Sequence, residues 1–192
     1  MAGPPPPIAV LDACVLAGTI RRIVLTSIAQ TGAFTPIFSP KILEETHRAI
    51  PRTYKNSAFS EAEKTQRADR AVSELCSAFP DALVTPENTA MGIELPDQDD
   101  VHVVQTAVKA RAGFIVTENL RDFPPKMLAA FEICPINTDH FAELSLSAVD
   151  HKYKSTLRAR LTQEFECEFA DQADMIERLR KVGLKKLADL LM

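Results

Sequence analysis

Ile8-Ala9-Val10-Leu11, followed by Asp12, is the stretch on which the fold turns. Four consecutive apolar residues predict a short parallel strand buried on both faces and covered by helices. Polar residues at the carboxyl ends of such strands line the ligand crevice, so Asp12 is expected at its mouth. Downstream, Leu16, Ile20, Ile23, Val24, Leu25 and Ile28 recur at helical spacing between Val15 and Thr31, and Gly32 supplies a stop. Pro36-Ile37-Phe38 reads as a strand. Ser39 and Pro40 suit the N-cap and first helical position, which predicts a helix from Lys41 to Ile50 ended by Pro51. Ser60-Glu61-Ala62-Glu63 has capping-box spacing and opens a helix to about Phe79. Pro80-Asp81 breaks it, and Ala82-Leu83-Val84 reads as a strand.

The loop Leu95 to Asp100 leads into a helix ending near Arg111, and Phe114-Ile115-Val116-Thr117 is a second buried strand. A short helix with Met127, Leu128 and Phe131 follows Pro124-Pro125. Ile133-Cys134-Pro135-Ile136 is a further strand, its proline suggesting an edge. This alternation predicts an α/β fold with a mainly parallel sheet. From Asp139 onward Leu144, Leu146, Val149, Tyr153 and Leu157 keep helical spacing, and no strand pattern appears. Residues 139–192 therefore read as an all-helical extension packed on the core or on a partner.

At 192 residues, 46% hydrophobic and 25% charged, the chain suits one domain with an appended lobe. No apolar run approaches the roughly 20 residues needed to cross a bilayer. Residues 1–7 have neither the basic region nor the apolar region of a secretory signal and read as a short disordered leader; a cytoplasmic location is expected. Cys14, Cys76, Cys134 and Cys167 form no C-x-x-C pair, which argues against a zinc ribbon and a disulfide framework. Cys14 and Cys134 stand among apolar residues and are expected in the core. The net charge of −4 does not suit a general nucleic-acid coat. It is unevenly spread: six acids and no Lys or Arg lie between Asp81 and Asp100, whereas residues 41–70 hold seven Lys/Arg against five acids. An acidic pocket beside a basic flank suits a cation that receives a phosphodiester; the plainer reading is a solvated helix face.

Asp12 is joined by three acidic stations: Glu44-Glu45, Asp97/Asp99/Asp100 and Asp122. Two carboxylates about 4 Å apart repel by roughly 4 kcal/mol at an effective dielectric of 20, so a cluster must be protonated, solvated or bridged by a cation. Oxygen ligands without Cys or paired His favour Mg²⁺ or Mn²⁺. Each acid also has a structural reading. Asp12 and Asp99-Asp100 could cap helices, Glu44 and Glu45 could be surface residues, and Asp122 could belong to a turn. The ordered set after successive strands weighs more than any member.

Four motifs in order now resemble the PIN-domain pattern. They are Val10-Leu11-Asp12; Ser39-Pro40-Lys41-Ile42-Leu43-Glu44-Glu45; Leu95-Pro96-Asp97-Gln98-Asp99-Asp100 through Ala107; and Ile115-Val116-Thr117-Glu118-Asn119-Leu120-Arg121-Asp122-Phe123. The similarity covers residues 8 to 138 and is to the ribonuclease toxins of bacterial VapBC-type toxin–antitoxin systems. It implies a three-layer sandwich on a mainly parallel sheet, with residues 139–192 resembling the C-terminal helical extension of one VapC subgroup. It implies an endoribonuclease using Mg²⁺ or Mn²⁺, leaving 5′-phosphate and 3′-hydroxyl ends. Carried over by position, Asp12, Glu45 and Asp100 hold the metal, and Asp122 completes the pocket and orients the attacking water. Thr46 stands where the family usually has an aliphatic residue, which leaves the Glu44/Glu45 choice open. Asp97 and Asp99 are loop neighbours. Thr117 and Asn119 would donate to the water or the phosphate, and His47, Arg48 and Arg52 would contact RNA phosphates. The implied partners are an RNA substrate, an antitoxin and a second copy in a homodimer, with no membrane. Apolar residues exposed on the helices at 41–50 and 61–79 would receive the antitoxin.

Rival chemistries fit less well. A haloacid-dehalogenase-type phosphatase wants D-x-D after the first strand, where this chain has Asp12-Ala13-Cys14, and the acid pair and Lys of a receiver domain are not evident. His47, three residues after Glu44, and His102, beside Asp99-Asp100, are rival ligands, though surface histidine is the plainer reading. A non-catalytic nucleic-acid or protein-binding module on the same fold is the alternative from another class.

Overall fold

The structure, a computed structural model, describes residues 5–86, 92–147, 151–165 and 172–192. Strand β1 (Ile8–Leu11) lies at the centre of a four-stranded parallel sheet of order β2-β1-β3-β4, with β2 Thr35–Ile37, β3 Phe114–Val116 and β4 Cys134–Ile136. Ala9, Val10 and Leu11 are all fully buried. Successive strand residues face opposite sides, so helices must cover both faces of β1. Pro135 sits on the edge strand, where a missing N–H breaks no inner ladder.

The helices are α1 (Ala13–Ala17), α2 (Thr19–Gln30), α3 (Pro40–Thr53), α4 (Glu61–Ala78), α5 (Val101–Ala110), α6 (Pro125–Leu128), α7 (Thr138–Ser147), α8 (His151–Phe165), α9 (Gln172–Lys181) and α10 (Lys185–Leu191). Ser39 caps α3 by accepting from Ile42 N, and the Ser60/Glu63 capping box opens α4 in both directions. These local signals read correctly because cap chemistry lies within four residues of chain.

Three expectations are corrected. The single helix over 15–31 is two helices, because Gly18 takes extended geometry (φ −75°, ψ 113°) and starts α2 afresh although the apolar spacing runs on through it. Helix α3 does not stop at Pro51 but continues to Thr53, so the proline falls inside its last turn. Ala82-Leu83-Val84 is not a strand of the sheet. Residues 80–82 form a 3-10 turn, and Leu83 makes an isolated parallel bridge to Phe38.

The described part of the extension holds helices and no strand. Leu157, Leu161, Leu179, Leu184, Leu187 and Leu191 are buried in the same apolar cluster as β1. Phe141 of α7 packs edge-on to Phe34, ring centres 4.8 Å apart, tying the extension to the sheet. Asp139 caps α10 across the chain, accepting from Lys186 N at 3.1 Å and Leu187 N at 3.0 Å. Val149 and Cys167, residues 1–4 of the expected leader, and the side chain of Tyr153 lie outside the described residues, while Pro5 to Pro7 are exposed and in no element. No helix among the described residues is long and apolar enough to cross a membrane.

Two surface expectations also change. Cys14 and Cys134 are exposed, not core, as is Cys76, and all three are free thiols. Ile42, Leu43, Ile50 and Leu75 are buried and Val72 half-buried, because the apolar faces of α3 and α4 pack on each other and on the core. They do not form the exposed docking surface expected there.

Candidate functional site

Strands β1 and β3 run side by side with Leu11 opposite Val116, so Asp12 and Thr117 leave the sheet as neighbours. The Thr117 hydroxyl donates to Asp12 Oδ2 at 2.7 Å, and the Cys14 thiol donates to the same oxygen at 2.9 Å. Asp12 occupies the N-cap position of α1, but its side chain makes no capping bond. The capping reading of this buried carboxylate therefore fails. Although Cys14 as a residue is exposed, its sulfur is turned in onto Asp12 and Thr117, and the thiol is pushed up to about 12, first by burial and then by the Asp12 charge. It stays protonated, which keeps it a donor and an inert thiol. Thr117 is fully buried, and its oxygen also accepts from Asn119 N at 3.0 Å. It stands behind Asp12, holding that carboxylate, and does not reach into the open crevice.

The second group comes from the loop before α5 and the turn after β3. Asp97, Asp100 and Asp122 each offer a carboxylate oxygen, and these atoms all lie within 4.8 Å of one another. Asp100 has its pKa raised from 3.8 to about 6 by burial first, then by the charges of Asp12, Asp97, Asp122 and Glu45. Carboxylates from all four stretches of chain thus act on one group. Asp100 stands at the N-cap of α5 without a side-chain capping bond, while Asp97 accepts from Asp99 N at 2.9 Å. Asp122 accepts from the Asn119 amide, whose oxygen accepts from Arg121 Nε at 3.0 Å.

Helix α3 turns Glu45 inward and Glu44 outward. Glu44 is 67% exposed and pairs with Arg48 of its own helix, whereas Glu45 is 23% exposed. Glu45 has its pKa raised by burial above all, with Asp12 adding to the rise and Lys41 and Arg48 opposing it. Thr46, the departure from the family pattern, is fully buried with its hydroxyl on Ile42 O at 2.8 Å, so it serves as a core residue.

His102 is buried, not on the surface. Its Nε2 lies 3.1 Å from Glu45 Oε2 but off the hydrogen-bond axis, and neither ring nitrogen has a hydrogen-bond partner. Burial lowers its pKa to about 4, with Lys41 acting in the same direction, so the ring is neutral and the contact with Glu45 is no salt bridge. His47 points away to α4, with Nε2 on Asp69 Oδ1 at 2.8 Å. Arg48, 4.0 Å from Glu45, and Lys41, 3.8 Å from it, stand on the rim. Of the residues expected to touch RNA, the structure brings Asn119 and Arg48 to the acids; it places Thr117 beneath them and His47 on another face. A cavity of about 1040 Å³ opens between α2 and α4, lined by residues such as Thr19, Tyr54, Arg67 and Arg70 and by none of the four acids. The acids gather in the crevice, where mutual repulsion calls for a charge to offset it, and the cavity holds none of them.

Asp97, expected as a loop neighbour, joins Asp100 and Asp122 in the carboxylate group. Its three-residue spacing before Asp100, one 3-10 turn, was the available signal.

The donor set, hard oxygens with one acid pushed toward neutrality, fits a divalent cation of the Mg²⁺ or Mn²⁺ kind. A family model described as PIN domain matches residues 9–121, and the chain belongs to that family. Membership points to nuclease chemistry in general. Comparison with curated proteins and with solved structures returned no match.

Proposed function

We propose that this PIN-domain protein is a metal-dependent endoribonuclease, the toxin of a VapBC-type toxin–antitoxin pair acting in the cytoplasm. The observation that carries the reading is the convergence on Asp100, whose proton affinity rises under the charges of Asp12, Asp97, Asp122 and Glu45. Asp12, Glu45, Asp100 and Asp122 are the residues assigned to hold Mg²⁺ or Mn²⁺. When bound, the cation neutralises charge on the phosphoryl oxygens and makes an attacking water more acidic.

The chain's own groups do the rest. Thr117 and Cys14 both hold Asp12 Oδ2, which fixes the orientation of the carboxylate assigned to the cation. The Asn119 amide holds Asp122, so that its other oxygen orients the water that attacks the phosphodiester. Asp100 must lose any proton it carries below about pH 6 before it serves as a ligand, so protons and the cation compete there. Lys41, Arg48 and Arg121 ring the acids and supply the positive charge that draws an RNA backbone to an otherwise repelling pocket. Residues 8–138 are assigned as the nuclease unit and 139–192 as its extension; the antitoxin and a homodimer are further parts of the proposal.

The test is purified protein with mixed-sequence RNA and Mn²⁺ or EDTA, wild type beside Asp12→Asn and Asp100→Asn. Cleavage by the wild type alone, only with metal, leaving 5′-phosphates, supports the reading. Equal cleavage by all three means a contaminating nuclease and removes the support. No cleavage of any RNA by a metal-binding wild type leaves the non-catalytic binding module. Growth arrest on expression, abolished by Asp12→Ala, tests the toxin role.

A further inference from the structure

Between Thr117, which holds Asp12, and Asn119, which holds Asp122, stands Glu118, whose side chain takes no part in the acidic crevice. Its Oε1 accepts from Thr138 N at 3.2 Å and from the Thr138 hydroxyl at 2.6 Å, and it lies 3.3 Å from Arg21 Nε. That last contact is an ion pair, because Nε is not aligned for a hydrogen bond. The same guanidinium donates through Nη2 to Val182 O at 2.7 Å. Val182 follows α9 and precedes Gly183, whose φ of +89° makes the turn into α10. The turn is itself fixed: Asp139 caps α10, and Lys186 pairs with Glu143.

We propose that Arg21 is a positioning residue that braces the segment bearing Thr117 and Asn119 against the α9–α10 turn, so that the C-terminal extension sets the geometry of the carboxylate crevice. The proposal rests on the metal-centre reading above. Arg21 suits the task because a planar guanidinium holds two separate nitrogens in a fixed fork, Nε toward Glu118 and Nη2 toward Val182 O, whereas an ammonium gathers its donors on one nitrogen. Both of its contacts are local in space and remote in sequence: Glu118 lies 97 residues away and Val182 lies 161 residues away. The extension thereby gains a role in the site without supplying any group to it. Reacting groups tolerate little displacement: a shift of about 1 Å can cost on the order of 100-fold in rate. Without Arg21, Glu118 keeps its Thr138 bonds but the segment loses its link to the α9–α10 turn, which loosens it at both carboxylate partners together.

The experiment uses the full chain and two readouts, steady-state RNA cleavage in Mn²⁺ and a Mn²⁺ titration followed by the electron paramagnetic resonance of free Mn²⁺. Arg21→Ala is expected to lower kcat about tenfold and weaken the Mn²⁺ midpoint about threefold, with KM for RNA within about twofold. Arg21→Lys, which restores a charge against Glu118 without the rigid fork that spans both contacts, is expected to recover part of each loss. Arg21→Ala with Glu118→Gln is expected to lose little beyond the larger single loss, since both remove one link. Unchanged kcat and Mn²⁺ midpoint in Arg21→Ala overturn the proposal, as does a double variant whose losses multiply. Should Arg21→Ala not fold, Arg21→Lys and Glu118→Gln carry the same readouts, and wild-type values in both overturn it. A wild type that binds Mn²⁺ and cleaves no RNA ends the nuclease reading alone, and the Mn²⁺ midpoints still judge Arg21. A wild type that binds no Mn²⁺ overturns both.

Discussion

Replacing Asp100 by asparagine is expected to stabilise the metal-free protein while removing its response to Mn²⁺. In the folded protein the Asp100 pKa rises from 3.8 to about 6, through burial and then through Asp12, Asp97, Asp122 and Glu45. A raised acid binds its proton more tightly when folded than when unfolded. Its contribution to stability therefore falls as pH rises from about 3.8 through about 6, and the full penalty is present at neutral pH. At about 1.4 kcal/mol per pH unit the ceiling is roughly 3 kcal/mol, and screening of a half-buried group reduces it to about 1–2 kcal/mol. Asparagine keeps the shape and removes the charge. Thermal unfolding at pH 7.5 in EDTA should then show the variant melting about 2–8 °C above wild type, at ~2–4 °C per kcal/mol for a chain of this size. Mn²⁺ at about a hundred times its Kd should stabilise wild type by about 2.7 kcal/mol and the variant by much less. A variant that melts below wild type in EDTA refutes the repulsion argument. Equal gains with Mn²⁺ refute the assignment of Asp100 as a ligand.

Three further outcomes follow from the same geometry. Glu45→Gln should cut RNA cleavage by about 100-fold or more and Glu44→Gln by less than about threefold in a fixed-time oligonucleotide assay, because only Glu45 faces Asp12 and Asp100. Thr117→Val should remove the donor to Asp12 at constant shape and lower kcat by about tenfold, the worth of one hydrogen bond to a charged group, while Thr117→Ser stays near wild type. At a fixed, subsaturating Mg²⁺ concentration cleavage should fall as pH drops through about 6, where Asp100 takes its proton, and added Mg²⁺ should move that fall to lower pH. A pH profile indifferent to metal concentration would contradict the competition.

What could be read from the chain alone was whatever is local. The run Ile8 to Leu11 declared a buried strand, and Ser39 and Ser60 declared helix starts within a single turn of sequence. Gly18 gives no break in the sequence pattern, because apolar spacing continues across it, and only its extended backbone separates α1 from α2. The Glu44/Glu45 choice was not decidable from spacing. Neighbouring helix residues differ by about 100° in direction, and which one faces the sheet depends on how α3 packs. The two exposed cysteines failed for a related reason: an apolar neighbourhood in sequence does not say which side of a strand end meets solvent. The neighbours of Asp97, His102 and Arg21 are set by contacts that only the sheet register and the docked C-terminal helices create.

The central claim is that carboxylates from four separate stretches hold one divalent cation. Anomalous diffraction from crystals of the full chain soaked in Mn²⁺ measures this most directly. The account predicts a peak bounded by Asp12, Asp100 and Asp122, with Glu45 bound directly or through water, and its loss in Asp100→Asn. A fully soaked crystal with no peak in that crevice, or with its only peak elsewhere, contradicts it.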